Sequence, residues 1–109
     1  MSEPDAGRAP DACRADVWLW RARFFKTRSL AAKYLEAGRV RLTRAGQESR
    51  LDKPSRPVKV DDRLVFALGG RLVAVVVTAL GDRRGPPGEA RNLYSDLEKS
   101  SQTPHAAEH

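Results

Sequence analysis

Thr27-Arg28-Ser29-Leu30-Ala31-Ala32-Lys33-Tyr34-Leu35-Glu36-Ala37-Gly38-Arg39-Val40-Arg41-Leu42 is the stretch that decides the fold. It reads as a short helix, a glycine stop and a strand. Thr27 is a suitable helix cap, because its hydroxyl can accept from a free N–H of the first turn. Ala31, Tyr34 and Leu35 fall at i, i+3 and i+4, an apolar stripe for a core, while Arg28, Ser29, Ala32, Lys33 and Glu36 take the other side. Gly38 stands where a left-handed residue ends a helix without a Cβ penalty. From Arg39 the period becomes two, which sends Val40 and Leu42 inward and Arg39 and Arg41 outward.

Working outward, the charge is uneven. Residues 14–50 hold ten Lys/Arg against Asp16, Glu36 and Glu48, a net of +7, whereas the whole 109-residue chain carries +6. A positive field gathered into under half of the chain points to a polyanionic partner. The length allows one small domain and no second core. With Cys13 as the only cysteine, no intrachain disulfide can form, and a reducing compartment is expected. No apolar run reaches the roughly 18–20 residues of a membrane span, and the acidic N-terminus lacks signal-peptide character. The expectation is a cytoplasmic protein with no membrane partner, monomeric when free.

Residues 1–12 show no apolar period and read as a disordered tail, as do residues 99–109. A first helix is expected from Asp16, as its cap, to Phe25, with Phe25-Lys26 linking it to the second. Most of Trp18, Trp20, Phe24 and Phe25 should be core, with Trp20 as the one candidate for an exposed stacking platform. Residues 43–50 read as a loop turning at Gly46, and Pro54 and Pro57 make 51–60 an irregular or edge segment. Asp61-Asp62 reads as a turn. Arg63–Leu68 and Arg71–Leu80 form a hairpin across Gly69-Gly70. After a turn-rich connector, Ala90, Leu93, Tyr94 and Leu97 follow a helical stripe that should dock on the sheet. The expected fold is α+β: two helices on a small, mainly antiparallel sheet (residues 13–80), then a basic connector with a short C-terminal helix (81–98).

Catalysis finds little support. His105 and His109 lie in the tail, Cys13 has no possible histidine partner within the domain, and no carboxylates cluster beyond Asp61-Asp62. No metal or cofactor site is expected, and no Gly-rich loop precedes a helix in nucleotide-binding spacing. The candidate site is therefore cationic: Arg14, Arg21, Lys26, Arg28, Lys33, Arg39 and Arg41, with Thr27 at the capped helix end. Arg28 lies where backbone N–H groups and the helix dipole favour a phosphate. Arg28, Arg39 and Arg41 are expected to share one phosphate-binding surface.

Arg14-Ala15-Asp16-Val17-Trp18-Leu19, Thr27-Arg28 and Leu35-Glu36-Ala37-Gly38-Arg39-Val40 together resemble the S4 RNA-binding domain. Trp18-Leu19-Trp20-Arg21-Ala22-Arg23-Phe24-Phe25-Lys26-Thr27-Arg28, Arg83-Arg84-Gly85-Pro86 and Leu93-Tyr94 are similar to its ribosome-associated heat-shock branch (heat-shock protein fifteen). The resemblance spans about residues 14–97. It implies that Arg14, Arg28 and Arg39 match basic motif positions, while Ala15, Val17 and Ala32 replace a leucine, a lysine and an arginine common in the motif. The family's tight Asn-Gly turn after the first strand is also missing. The implied partner is ribosomal RNA of the large subunit, in rescue or recycling of stalled nascent-chain complexes. The residues by themselves reach structured RNA, bound by shape and phosphate pattern. Duplex DNA, bound through the two-helix unit, and a protein adaptor acting through the C-terminal helix stand as alternatives.

Overall fold

Ala15, Trp18, Leu19 and Ala22 recur on one helical face, and all four are buried. They lie along α1 (Ala15–Arg21) and its C-cap, in a computed structural model that describes residues 12–97. The expected tails at 1–12 and 99–109 fall, apart from Ala12, outside the described residues. The helix differs from expectation at both ends. Arg14, not Asp16, is the N-cap, and it makes no side-chain cap. Instead the Ala15 N–H donates to the Arg56 carbonyl at 2.8 Å and the Asp16 N–H to the Pro54 carbonyl at 3.2 Å. A neighbouring loop thus satisfies the helix start that a capping side chain would otherwise serve. The other end comes before Phe25, because Arg23 adopts φ +67° and the Phe24 N–H donates back to Leu19. That reversal brings Phe24 and Phe25 onto Phe66, at 5.3 and 6.5 Å between ring centres.

The second helix, α2 (Arg28–Glu36), follows the sequence reading. The Thr27 hydroxyl accepts from the Leu30 N–H at 3.1 Å, and Ala31 and Leu35 are buried. Gly38 ends it with φ +73°. A methyl group there would also lie 3.2 Å from the Arg50 side chain.

Two hairpins supply four of the five strands of the main sheet. In the first, β2 (Val40–Arg44) pairs with β3 (Gln47–Leu51) across Ala45-Gly46, both with positive φ. The stretch 43–50 is therefore a tight hairpin, not a loop. Ala45 at φ +53° takes the place where such turns favour Asn or Gly, which is why the signal was missed. Short strands β1 (Cys13–Arg14) and β4 (Pro57–Val58) pair separately. The second hairpin, β5 (Arg63–Leu68) and β6 (Arg71–Val77), turns on Gly69-Gly70 as expected. The larger sheet runs β3-β2-β5-β6-β7, with β7 at Tyr94–Asp96, and every neighbouring pair is antiparallel. Val40, Leu42, Leu64, Phe66, Val75 and Val77 face the helices, and Trp18 lies among them with its Nε1 donating to Ala79.

Asp62 does more than turn the chain. It is 1% exposed, its two oxygens accept from Arg44 at 2.8 and 2.7 Å, and one also accepts from the Lys59 N–H. The carboxylate thus ties the end of β2 to the entry of β5.

The C-terminal part is only partly helical. A four-residue α3 (Pro87–Ala90) and a 3-10 turn (Arg91–Leu93) precede β7 (Tyr94–Asp96), which pairs with β6. Ala90 and Leu93 are buried as the stripe required, but Tyr94 begins a strand. An open β6 edge offers a row of unpaired N–H and C=O groups, whereas a helix this short gains little from one more turn. The edge wins.

Candidate nucleic-acid interface

The cations singled out in the sequence separate into distinct places. Arg14 and Arg28 gather round Asp16. Both oxygens of Asp16 accept from Arg14 at 3.0 Å, and Arg28 stands 3.8 Å away. Asp16 is 5% exposed at its side chain, the two arginines 50% and 51%. A buried carboxylate therefore holds Arg14 through two hydrogen bonds and attracts Arg28 through its charge, while both guanidinium groups stay about half exposed. Burial alone would raise the Asp16 carboxyl. The Arg14 hydrogen bonds and charge, the Arg28 charge and the Val17 N–H outweigh it and hold the group below its usual value.

Lys26 and Thr27 are exposed in the turn that leads to the positive end of α2. Further along, Lys33 is exposed on the flank of α2 away from Arg28, as the 100° step per residue requires. Neither Lys26 nor Lys33 has a carboxylate partner among the described residues. Arg39 is exposed beside the same flank, with its guanidinium carbon 5.6 Å from the centre of the Tyr34 ring. Arg41 lies on the outer face of the sheet, paired with Glu48 at 2.9 Å where both are over half exposed. Arg28, Arg39 and Arg41 thus occupy three separate settings: the start of α2, its far flank and the sheet face.

Arg21 turns inward. Its Nη1 donates to the carbonyls of Gly81 at 2.8 Å and Leu80 at 3.3 Å, and its Nε is buried without a partner. Arg23 and Arg84 complete a clasp, donating to Gly85 and Trp20 respectively. Trp20, the candidate for an exposed platform, is half-buried with Arg84 across its ring. Sequence reasoning passed over Arg50 and Arg63. Both are exposed, and the ladder places them beside Arg41 and Thr43 on the outer sheet face. Period-two alternation in β3 and β5 was the signal for them.

Among the described residues no group of three or more His, Cys, Asp or Glu side chains could hold a metal ion. Burial lifts the Cys13 thiol above its usual value despite nearby Arg21, which keeps it in the unreactive thiol form. No helix among the described residues is long and apolar enough to cross a membrane.

Two helices joined by a short basic turn, followed by a glycine stop and a strand with outward arginines, define an S4 domain, and residues 13–42 match the S4 domain family. The wider chain is 40% identical over 87 residues to heat shock protein 15 of Escherichia coli K12, covering 80% of this chain and 62% of that protein. A homolog from Aeromonas salmonicida is 34% identical over 97 residues, 89% of this chain and 70% of its own. The solved trimeric structure of Vibrio cholerae heat shock protein 15 superposes with a TM-score of 0.71 at 35% identity, over 84% of this chain and 87% of that one. The chain belongs to the heat shock protein 15 family. It spans somewhat under two thirds of the length of the Escherichia coli relative.

Proposed function

We propose that this chain is a non-catalytic, cytoplasmic RNA-binding protein that grips the phosphate backbone of structured ribosomal RNA. The observation that carries the reading is the Asp16 arrangement: a buried anion holds Arg14 and Arg28 half out of the surface at the positive end of α2. Partly desolvated guanidinium groups gathered by one carboxylate suit phosphate oxygens, and Lys26, Lys33 and Arg39 extend the same field along α2. The outward positions of α2 between its flanks are Ser29, Ala32 and Glu36, a poor set for reading base edges in duplex DNA. Family membership supports a ribosome-associated role; the proposed target is the large subunit, in rescue or recycling of stalled nascent-chain complexes. The free chain is taken to be monomeric, in contrast to the trimeric Vibrio cholerae structure, and sedimentation of the protein alone distinguishes the two.

Binding is tested by titrating the full chain against purified large subunits, small subunits and a DNA duplex at several salt concentrations. Four to six phosphate contacts would give a log–log salt slope of roughly −3 to −5. Large subunits should bind most tightly. Equal or tighter binding of the DNA transfers the assignment to a two-helix DNA reader, and preference for small subunits removes the large-subunit role.

A further inference from the structure

One flank of α2 carries a feature that phosphate binding does not use. Phe25, Leu30, Lys33, Tyr34, Ala37 and Arg39 line an open trough of about 360 Å³. Its floor is apolar. Leu30 is 48% exposed there, an unusual position for a large aliphatic side chain in the midst of a basic surface. Among the described residues, the only charged groups on its rim are the two cations.

The floor is also tied to the sheet. The Tyr34 hydroxyl donates to the Ala67 carbonyl, so the ring is anchored at its polar end to β5. Phe25 packs beside it at 5.2 Å between ring centres, and the Arg39 guanidinium stands over it at 5.6 Å. A planar cation laid over an aromatic ring extends the flat surface on which an unpaired base stacks, because bases stack on guanidinium planes as well as on rings. The two rim cations complement the phosphates on either side of such a base. Leu30 is the third residue of α2, and its N–H is held by the Thr27 cap, so the trough begins within one turn of the positive helix end.

We propose that this trough receives a single unstacked nucleobase of the bound RNA, with Lys33 and Arg39 on its flanking phosphates. The proposal rests on the RNA-binding reading and deepens it: the protein selects RNA that displays a bulged or looped-out base. An acidic peptide with an apolar anchor offers similar charge, but a pinned flat ring favours a planar ligand over an adaptable side chain.

Three RNA hairpins of identical stem test this by fluorescence anisotropy with the full chain at one salt concentration: fully paired, with one bulged adenosine, and with an abasic bulge. The bulged adenosine should bind about tenfold more tightly than the abasic bulge, within the range of base–aromatic stacking. Leu30→Gln should abolish that preference yet keep the salt slope and the abasic affinity, and Leu30→Met should retain the preference. Thermal melting of each variant checks the fold. If all three hairpins bind equally with a steep salt slope, the trough is not a base site and the phosphate reading stands. Failure to bind any hairpin or ribosomal particle overturns both. Displacement of the bulged RNA by an acidic amphipathic peptide, in a manner sensitive to Leu30→Gln but with no base preference, assigns the trough to protein instead.

Discussion

Arg84 lies across Trp20: its guanidinium carbon is 5.8 Å from the ring centre, and its Nε donates to the Trp20 carbonyl at 3.1 Å. With Arg21 and Arg23 reaching the opposite way to Leu80, Gly81 and Gly85, the connector and α1 hold each other reciprocally. Arg83-Arg84-Gly85-Pro86 thus meets the tryptophan-rich stretch in the fold. Arg84→Ala should lower stability by about 1–2 kcal/mol, the worth of one charge-assisted hydrogen bond and a ring contact. In a domain this small, that corresponds to a melting-point fall of roughly 4–8 °C per kcal/mol. Thermal denaturation of the variant measures it, and an unchanged melting point would show the clasp to be incidental.

Asp62 anchors the start of β5 against Arg44 at the end of β2. Removing a buried carboxylate strands the guanidinium and the Lys59 N–H that it satisfied. Because Arg44 is 36% exposed, part of its charge is rehydrated in the variant, which moderates the loss. Asp62→Ala should cost about 2–4 kcal/mol, somewhat below the range for fully buried pairs. Urea unfolding gives the number, and a loss under about 0.5 kcal/mol would contradict this account.

Much of the architecture was legible in the chain because local and global signals agree. The Thr27 cap, the Gly38 stop and the Gly69-Gly70 turn each have a side-chain or backbone requirement that few residues meet. The departures came where tertiary partners replaced local ones. Arg56 and Pro54 carbonyls substitute for a cap at α1, and the open edge of β6 draws Tyr94–Asp96 out of a helical stripe. Site residues were harder to read. Arg21 and Lys33 look alike in sequence, yet one is bound to backbone carbonyls across a gap of some sixty residues and the other faces solvent. Likewise the trough depends on Phe25 and Arg39 meeting across α2, which no periodicity announces.

Stability should depend on pH through Asp16. Its folded carboxyl lies below the unfolded value of about 3.9, so its contribution is present in full above that value. Acidification through the depressed folded value protonates the carboxylate and removes it. Wild type and Asp16→Asn should therefore differ in unfolding free energy at pH 5 and above, with the gap closing below about pH 4. A gap that stays constant down to pH 2.5 would mean that Asp16 acts through packing and not through its charge.

Ala45 occupies the first position of a two-residue turn at φ +53°, where an L-residue with a Cβ is strained. The following Gly46, at φ +80°, already satisfies the turn. Ala45→Asn restores the residue pair this turn favours and should stabilise the protein by about 0.5–1 kcal/mol. Chemical denaturation detects the gain as a higher midpoint at constant slope. Ala45→Val should move the midpoint the other way, because a β-branched side chain is poorly accommodated at positive φ.

Arg21 and Lys33 offer the sharpest separation of stability from binding. Arg21→Ala removes donors from the Gly81 and Leu80 carbonyls and so loosens the clasp between α1 and the connector. It should cost about 1–2 kcal/mol of stability and leave the salt slope for RNA unchanged. Lys33→Ala deletes an exposed cation with no partner among the described residues. It should change stability by less than about 0.5 kcal/mol while flattening the slope by about one unit for every RNA tested. Melting curves and salt titrations on the two variants read both quantities. If Arg21→Ala instead flattens the slope at an unchanged melting point, its guanidinium leaves the carbonyls on binding and belongs to the interface. If Lys33→Ala leaves the slope intact, the flank of α2 does not contact phosphate, and the binding surface must be sought on the sheet face around Arg41, Arg50 and Arg63.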